Sequence, residues 1–167
     1  MDCKRALEEA RGDFTAAIRI LKDKGLAKAE KKAARLTKEG LISSYVHQGR
    51  VGVILEIGCE TDFVARCQDM QTLGKDLTLQ IASMAPRYVS REQVPAEDVD
   101  KARQTLRAEG DSAEKRLEEW FAQVCLLEQA FIRDPGQRIK DIVNAAVAKI
   151  GENIIIKRFV RFEIGEV

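Results

Sequence analysis

The sequence predicts an α+β fold: a small antiparallel sheet, built from one β-hairpin and a C-terminal strand, with helices inserted between them and a short helical module in front. Three observations carry this. Residues 41–58 hold two β-rich runs, "LISSYVH" and "RVGVILEI", separated by Gln48-Gly49. Residues 62–150 then change to helical period. The final run "NIIIKRFVRFEI", residues 153–164, returns to strand texture.

Taken in order, residues 2–11 read as a short helix, and Gly12-Asp13 breaks and recaps it. Asp13 is a good N-cap because its carboxylate accepts from the freed amides of the next turn. Phe14, Ala17, Ile18 and Leu21 follow at helical spacing, and Gly25 stands where a left-handed residue would end that helix. Residues 26–38 have high helix propensity but a weak apolar face. Val51, Val53, Leu55 and Ile57 alternate and so share one sheet face, with Gly49 in the hairpin turn. Met70, Leu73, Leu77, Ile81 and Met84 mark one stripe of a helix over 62–85, stopped by Pro86. Pro95 opens a helix over 96–108, and Gly110-Asp111-Ser112 breaks it. Leu117, Trp120, Phe121, Val124 and Cys125 form the next apolar face. Asp134-Pro135-Gly136 reads as a turn. Ile139, Ile142, Val143, Ala146 and Ile150 form the last helix, closed by Gly151. The expected division is a partial helical module at 1–25, a basic helical connector at 26–39, and an α+β core and dimerisation domain at 40–167.

The chain has 167 residues, enough for one or two domains with a real core. Charged residues make up 33% of it, yet the net charge is only +1, so no global field draws it to nucleic acid or membrane. No run approaches 18 consecutive apolar residues, and the charged start "MDCKRALEEA" lacks the apolar core of a signal peptide. The four cysteines (3, 59, 67 and 125) form no Cys-x-x-Cys, and His47 is the one histidine. The expectation is reduced thiols, some buried, and no metal site. His47 reads as a polar surface residue. Eight basic and two acidic residues between Arg19 and Lys38 give a local excess of six. Such a run is a solvated helix face or a surface for an acidic partner or RNA.

Nothing in the residues assembles a catalytic set. There is no Ser/His/acid combination, no Gly-rich phosphate loop, and "GEN" at 151–153 follows a helix rather than opening one. The unusual stretch is "GCETDFVARC", residues 58–67. An apolar strand ends at a glycine, Thr61-Asp62 can start a helix, and Phe63 places a ring where the chain turns near water. Taken alone, that ring is a core residue, a hydrophobic staple or an interface anchor.

"MDCKRALEEARGDFTAAIRILKDKG", "GCETDFVAR" and "AKIGENIIIKRF" stand in an order and spacing that closely resemble bacterial elongation factor Ts, in the family's short form with one core domain. The likeness covers essentially the whole chain. It implies a guanine-nucleotide exchange factor for the translational GTPase elongation factor Tu, with no covalent chemistry and no cofactor of its own. The resemblance makes Thr61, Asp62, Phe63 and Val64 the residues that enter the GTPase and dislodge its Mg²⁺ and GDP; by its own chemistry, Asp62 can also cap the helix. Met1 is implied as a further partner contact, and residues 1–25 as part of a module like ubiquitin-associated domains. The absence of a transit peptide favours a bacterial cytosol over an organelle matrix, and no membrane or direct nucleic-acid partner is expected. An exposed sheet edge offers a homodimer contact.

Two departures from the family pattern matter. Family members usually carry a further helix and a Thr-Gly-Ala-Gly-Met turn before "MDCK", so residues 1–25 are expected to be weakly anchored, or completed by a helix from another chain. "CQDM" stands where the family often has an asparagine, an acid and a phenylalanine, which alters the turn at Cys67. Two other classes compete. One is an RNA-binding accessory protein of translation using the basic run. The other is a thiol enzyme using Cys59 or Cys67, which requires an unusually low thiol pKa.

Overall fold

A computed structural model describes residues 2–107 and 113–166. Helix α1 (Asp2–Glu9) and helix α2 (Phe14–Lys32) lead into strand β1 (Glu39–His47) and strand β2 (Val51–Cys59). Helices α3 (Asp62–Arg66), α4 (Gln68–Met84), α5 (Ala96–Arg107) and α6 (Ala113–Val124) follow. A short hairpin of β3 (Ala130–Phe131) and β4 (Asp134–Arg138) precedes α7 (Ile139–Ile150) and β5 (Ile155–Glu163). The expected α+β architecture is therefore present. The three-stranded sheet has order β1-β2-β5, with both neighbouring pairs antiparallel.

The hairpin turns where Gln48 and Gly49 both take positive φ, 50° and 67°, a backbone that suits the twist of antiparallel strands. On the inner face, Val53, Leu55 and Ile57 are buried, as their alternation predicts. Met70, Leu73, Leu77 and Ile81 of α4 and Ile139, Val143 and Val147 of α7 close over them as one core. The approach of α4 is close: a Cβ at Gly74 would lie 3.0 Å from Ser43 of β1. A second, smaller core joins Val94, Phe121 and Cys125 beneath α5 and α6, with Trp120 half-buried at its side. Arg91 seals it, gripping Glu118 through both carboxylate oxygens at 2.7 and 2.6 Å and lying over the Phe121 ring at 4.7 Å.

The structure changes several expectations. Helix α2 passes through Gly25 without a stop, because Gly25 packs on α7, where its Cβ position lies 3.7 Å from Ala148. The helix over 62–85 is two helices. Cys67, with ψ 152°, ends α3 and begins α4. Asp134-Pro135-Gly136 lies in strand β4, and the turn of that hairpin falls at residues 132–133. This hairpin is held from below: Gln80, fully buried on α4, donates to Ala130 O and Gln129 Oε1 and accepts from Ile132 N. The predicted break at Gly110-Asp111-Ser112 and the contact role of Met1 lie outside the described residues. His47 is exposed, its Nδ1 2.9 Å from the Tyr45 hydroxyl.

Candidate functional site

Strand β2 delivers the chain to the site. Its last residues, Gly58 and Cys59, are buried, and a Cβ at Gly58 would sit 2.9 Å from Thr37 Oγ1, so only glycine lets residues 33–38 cross there. The Cys59 thiol donates to the Thr61 carbonyl at 3.1 Å and turns the chain out of the sheet. Thr61 is then the N-cap of α3, its Oγ1 accepting from Val64 N. Asp62, expected to cap, is instead the first helical residue. There its charge favours the helix N-terminus, and it pairs with Arg66 one turn on. Both residue types cap well. Thr61 takes the position because a carboxylate from elsewhere in the chain engages it.

That carboxylate is Glu152. Its Oε2 accepts from Glu60 N at 3.1 Å and Thr61 N at 3.0 Å, and its Oε1 accepts from Thr61 Oγ1 at 2.7 Å. In return, Asn153 N donates to Glu60 Oε1 at 2.6 Å. The Asn153 amide, almost wholly buried, also donates to the Ala33 and Arg35 carbonyls past the end of α2, at 3.3 and 2.8 Å. Glu152 and Asn153 escape a sequence reading because their partners lie about 90 to 120 residues away. The signal in "GEN" is only the glycine: Gly151, φ 91°, stops α7 and turns the chain across the site.

On this framework Phe63 points outward. It is 83% exposed, the most exposed of the large apolar side chains among the described residues. Val64, behind it, packs partly against the main core, and Ala65 is buried. Among the described residues, no group of three or more His, Cys, Asp or Glu side chains is placed to hold a metal ion. What it can do is present an aromatic ring, flanked by an acid, on a short capped helix.

The cysteines bear on the rival thiol chemistry. Burial pushes the Cys59 thiol up, and the nearby Glu152 carboxylate adds to the effect. That is opposite to what a thiolate nucleophile needs. Cys125 is buried in the second core and pushed up to about 11. Cys67 caps α4 through its sulfur, 3.4 Å from Met70 N. All four thiols are unpaired. The basic run lies along α2 and the segment after it, mostly exposed, and no helix among the described residues is long and apolar enough to cross a membrane.

A family model described as "Elongation factor TS" matches residues 28–166. The chain is 53% identical over 178 residues to an elongation factor Ts of Carboxydothermus hydrogenoformans, an alignment spanning 99% of this chain and 82% of that protein. It is also 53% identical to an elongation factor Ts of Fervidobacterium nodosum, across 99% and 90% of the two chains. With that of Thermotoga petrophila the identity is 51%, across 99% and 88%.

Proposed function

The chain belongs to the elongation factor Ts family of translation factors, and we propose that it expels GDP from elongation factor Tu by seating Phe63 in the GTPase beside its Mg²⁺ and nucleotide site. The observation that carries this reading is an 83% exposed phenylalanine on a turn fastened by hydrogen bonds at both ends. An exposed ring on a soft loop would lose backbone and rotamer freedom on docking, whereas a ring already held outward loses less. Thr61, Asp62 and Val64 complete the contact: Thr61 fixes the turn, Asp62 places a carboxylate beside the ring, and Val64 roots it in the core. Full burial of Phe63 contributes about 2–3 kcal/mol. Speeding release by ~10⁴ needs about 5.5 kcal/mol, so the remainder comes from the wider interface and from lost Mg²⁺ contacts in the partner. The chemistry is displacement by binding, with no bond made or broken in this chain. Linkage then makes the complex tight without nucleotide and loose with it. The setting is the bacterial cytoplasm.

The test is release of fluorescent GDP from purified elongation factor Tu. Added chain is expected to accelerate release, with excess Mg²⁺ opposing it. A release rate indifferent to the chain would reject the reading, and salt-sensitive binding to RNA would move it to the alternative use of the basic helix.

The outer face of the sheet supports a second element of the proposal, a homodimer. The registered positions Ile42, Val46, Ile54, Val160 and Phe162 share that face, all about half exposed or more. Together they make an apolar surface of the kind that marks an interface. Sedimentation equilibrium is expected to show a dimer that Ile54→Lys converts to monomer; a parent chain that is monomeric at tens of micromolar would contradict it.

A further inference from the structure

We propose that Glu152 and Asn153 are positioning residues for Phe63, fixing both the direction of the ring and its placement relative to helix α2. The proposal rests on the exchange-factor reading and adds to it the residues that hold the wedge. Glu60 and Thr61 leave the sheet at Cys59, which pairs with Glu39 at the far end of β1. Their amides are therefore without ladder partners, and an unpaired, partly buried amide is costly. The Glu152 carboxylate takes both. Because Thr61 Oγ1 spends its proton on Glu152, its lone pair faces the Val64 amide. One carboxylate thus sets the residues just before Phe63 and the hydrogen bond that starts its helix.

Asn153 extends the fastening to a third segment. Its backbone amide binds the Glu60 carboxylate, which Arg35 also approaches at 3.5 Å. Its side chain closes on the Ala33 and Arg35 carbonyls. The dipeptide after α7 therefore ties the Phe63 turn to the end of α2. A partner that touches both α2 and Phe63 meets two surfaces whose spacing is set by these two residues. None of these bonds reaches into the Leu55–Ile57–Met70 core beneath, so their loss loosens the turn before it loosens the fold.

The geometry separates reach from charge. In Glu152→Gln the amide oxygen still accepts from Glu60 N and Thr61 N, and the amide nitrogen can donate to Thr61 Oγ1. In Glu152→Asp the charge stays but the side chain is one methylene short. Release of fluorescent GDP from elongation factor Tu is measured against factor concentration for the parent, Glu152→Gln, Glu152→Asp and Phe63→Ala, with amide exchange of the isolated chains alongside. The expected result is a parent-like Glu152→Gln. Glu152→Asp should lose about tenfold in maximal release rate, with less than threefold change in half-saturating concentration. Its amides at residues 60–64 should exchange faster while those of α4 keep parent-like protection. Activity in Glu152→Asp equal to the parent, or activity lost in Glu152→Gln and kept in Glu152→Asp, would overturn the proposal. Equal loss of protection at residues 60–64 and in α4 would also overturn it, by showing a merely structural role. If the parent itself fails to speed release, the exchange reading fails, and amide exchange at residues 60–64 still decides whether Glu152 holds the turn.

Discussion

Phe63 could be placed on a helix start from its neighbours, but its direction could not. A phenylalanine one residue past a cap satisfies a core, a staple or an interface equally. What decides is that Ala65 and Val64 turn inward, leaving the ring on the opposite side of a five-residue helix. The competition between Thr61 and Asp62 for the cap was likewise undecidable locally, because the deciding group, Glu152, is distant in sequence. Cys67 shows the converse, a local feature with a readable consequence. Its sulfur accepts from Met70 N at 3.4 Å, where an oxygen acceptor would be stronger. Cys67→Asn is therefore expected to raise stability by about 0.5–1 kcal/mol, read as a higher urea midpoint with an unchanged slope. Cys125 carries a pH dependence. Its thiol is raised in the fold from 9.0 to about 11, so folding favours the protonated form. That contribution is complete below pH 9 and is lost as pH rises through about 11. The urea midpoint of the parent should fall more steeply between pH 9 and 11 than that of Cys125→Ala.

Among the elements, strands and hairpin were legible because their side-chain period is 2 and the buried face keeps it: Val53, Leu55 and Ile57 are all but sealed while Ile54 is half exposed. The misreading at Gly25 has a plain cause, a local signal overridden by a packed neighbour. Gly25 carries the composition of a helix stop, but α7 lies against it and α2 continues. Gly151 carries the same composition and does stop its helix, at φ 91°. The pair makes a test. Gly25→Ala is expected to stabilise by about 0.5–1 kcal/mol, since the new methyl meets Ala148 at ordinary contact distance. Gly151→Ala should destabilise by about 1–2 kcal/mol because a Cβ is strained in the left-handed region. Thermal melts of both variants decide it, and equal signs would show that the two glycines are not in different conformations. The helical period across 62–85 hid the break at Cys67 because α3 and α4 bury successive parts of one apolar stripe, with Ala65 and Met70 in the same core.

At the scale of the whole molecule, the main core, the satellite core under α5 and α6, and the fastening at Glu152 have different tasks. The main core fixes the sheet whose end carries the Phe63 turn. The satellite core is closed by Arg91, whose guanidinium is held charged by Glu118 and Glu128. The fastening joins chain segments that the core leaves separate. The α+β class and the three-stranded sheet followed from periodicity. The role of the exposed ring required the family resemblance, since an isolated apolar side chain at a surface has no meaning by itself. The central claim is that this ring acts as the wedge. It is tested most directly by the maximal rate of GDP release from elongation factor Tu with the parent chain and with Phe63→Ala. The wedge predicts a fall of about thirty- to 150-fold, the equivalent of about 2–3 kcal/mol, with thermal stability changed by less than about 0.5 kcal/mol. A Phe63→Ala chain that stays folded and releases GDP as fast as the parent would contradict it.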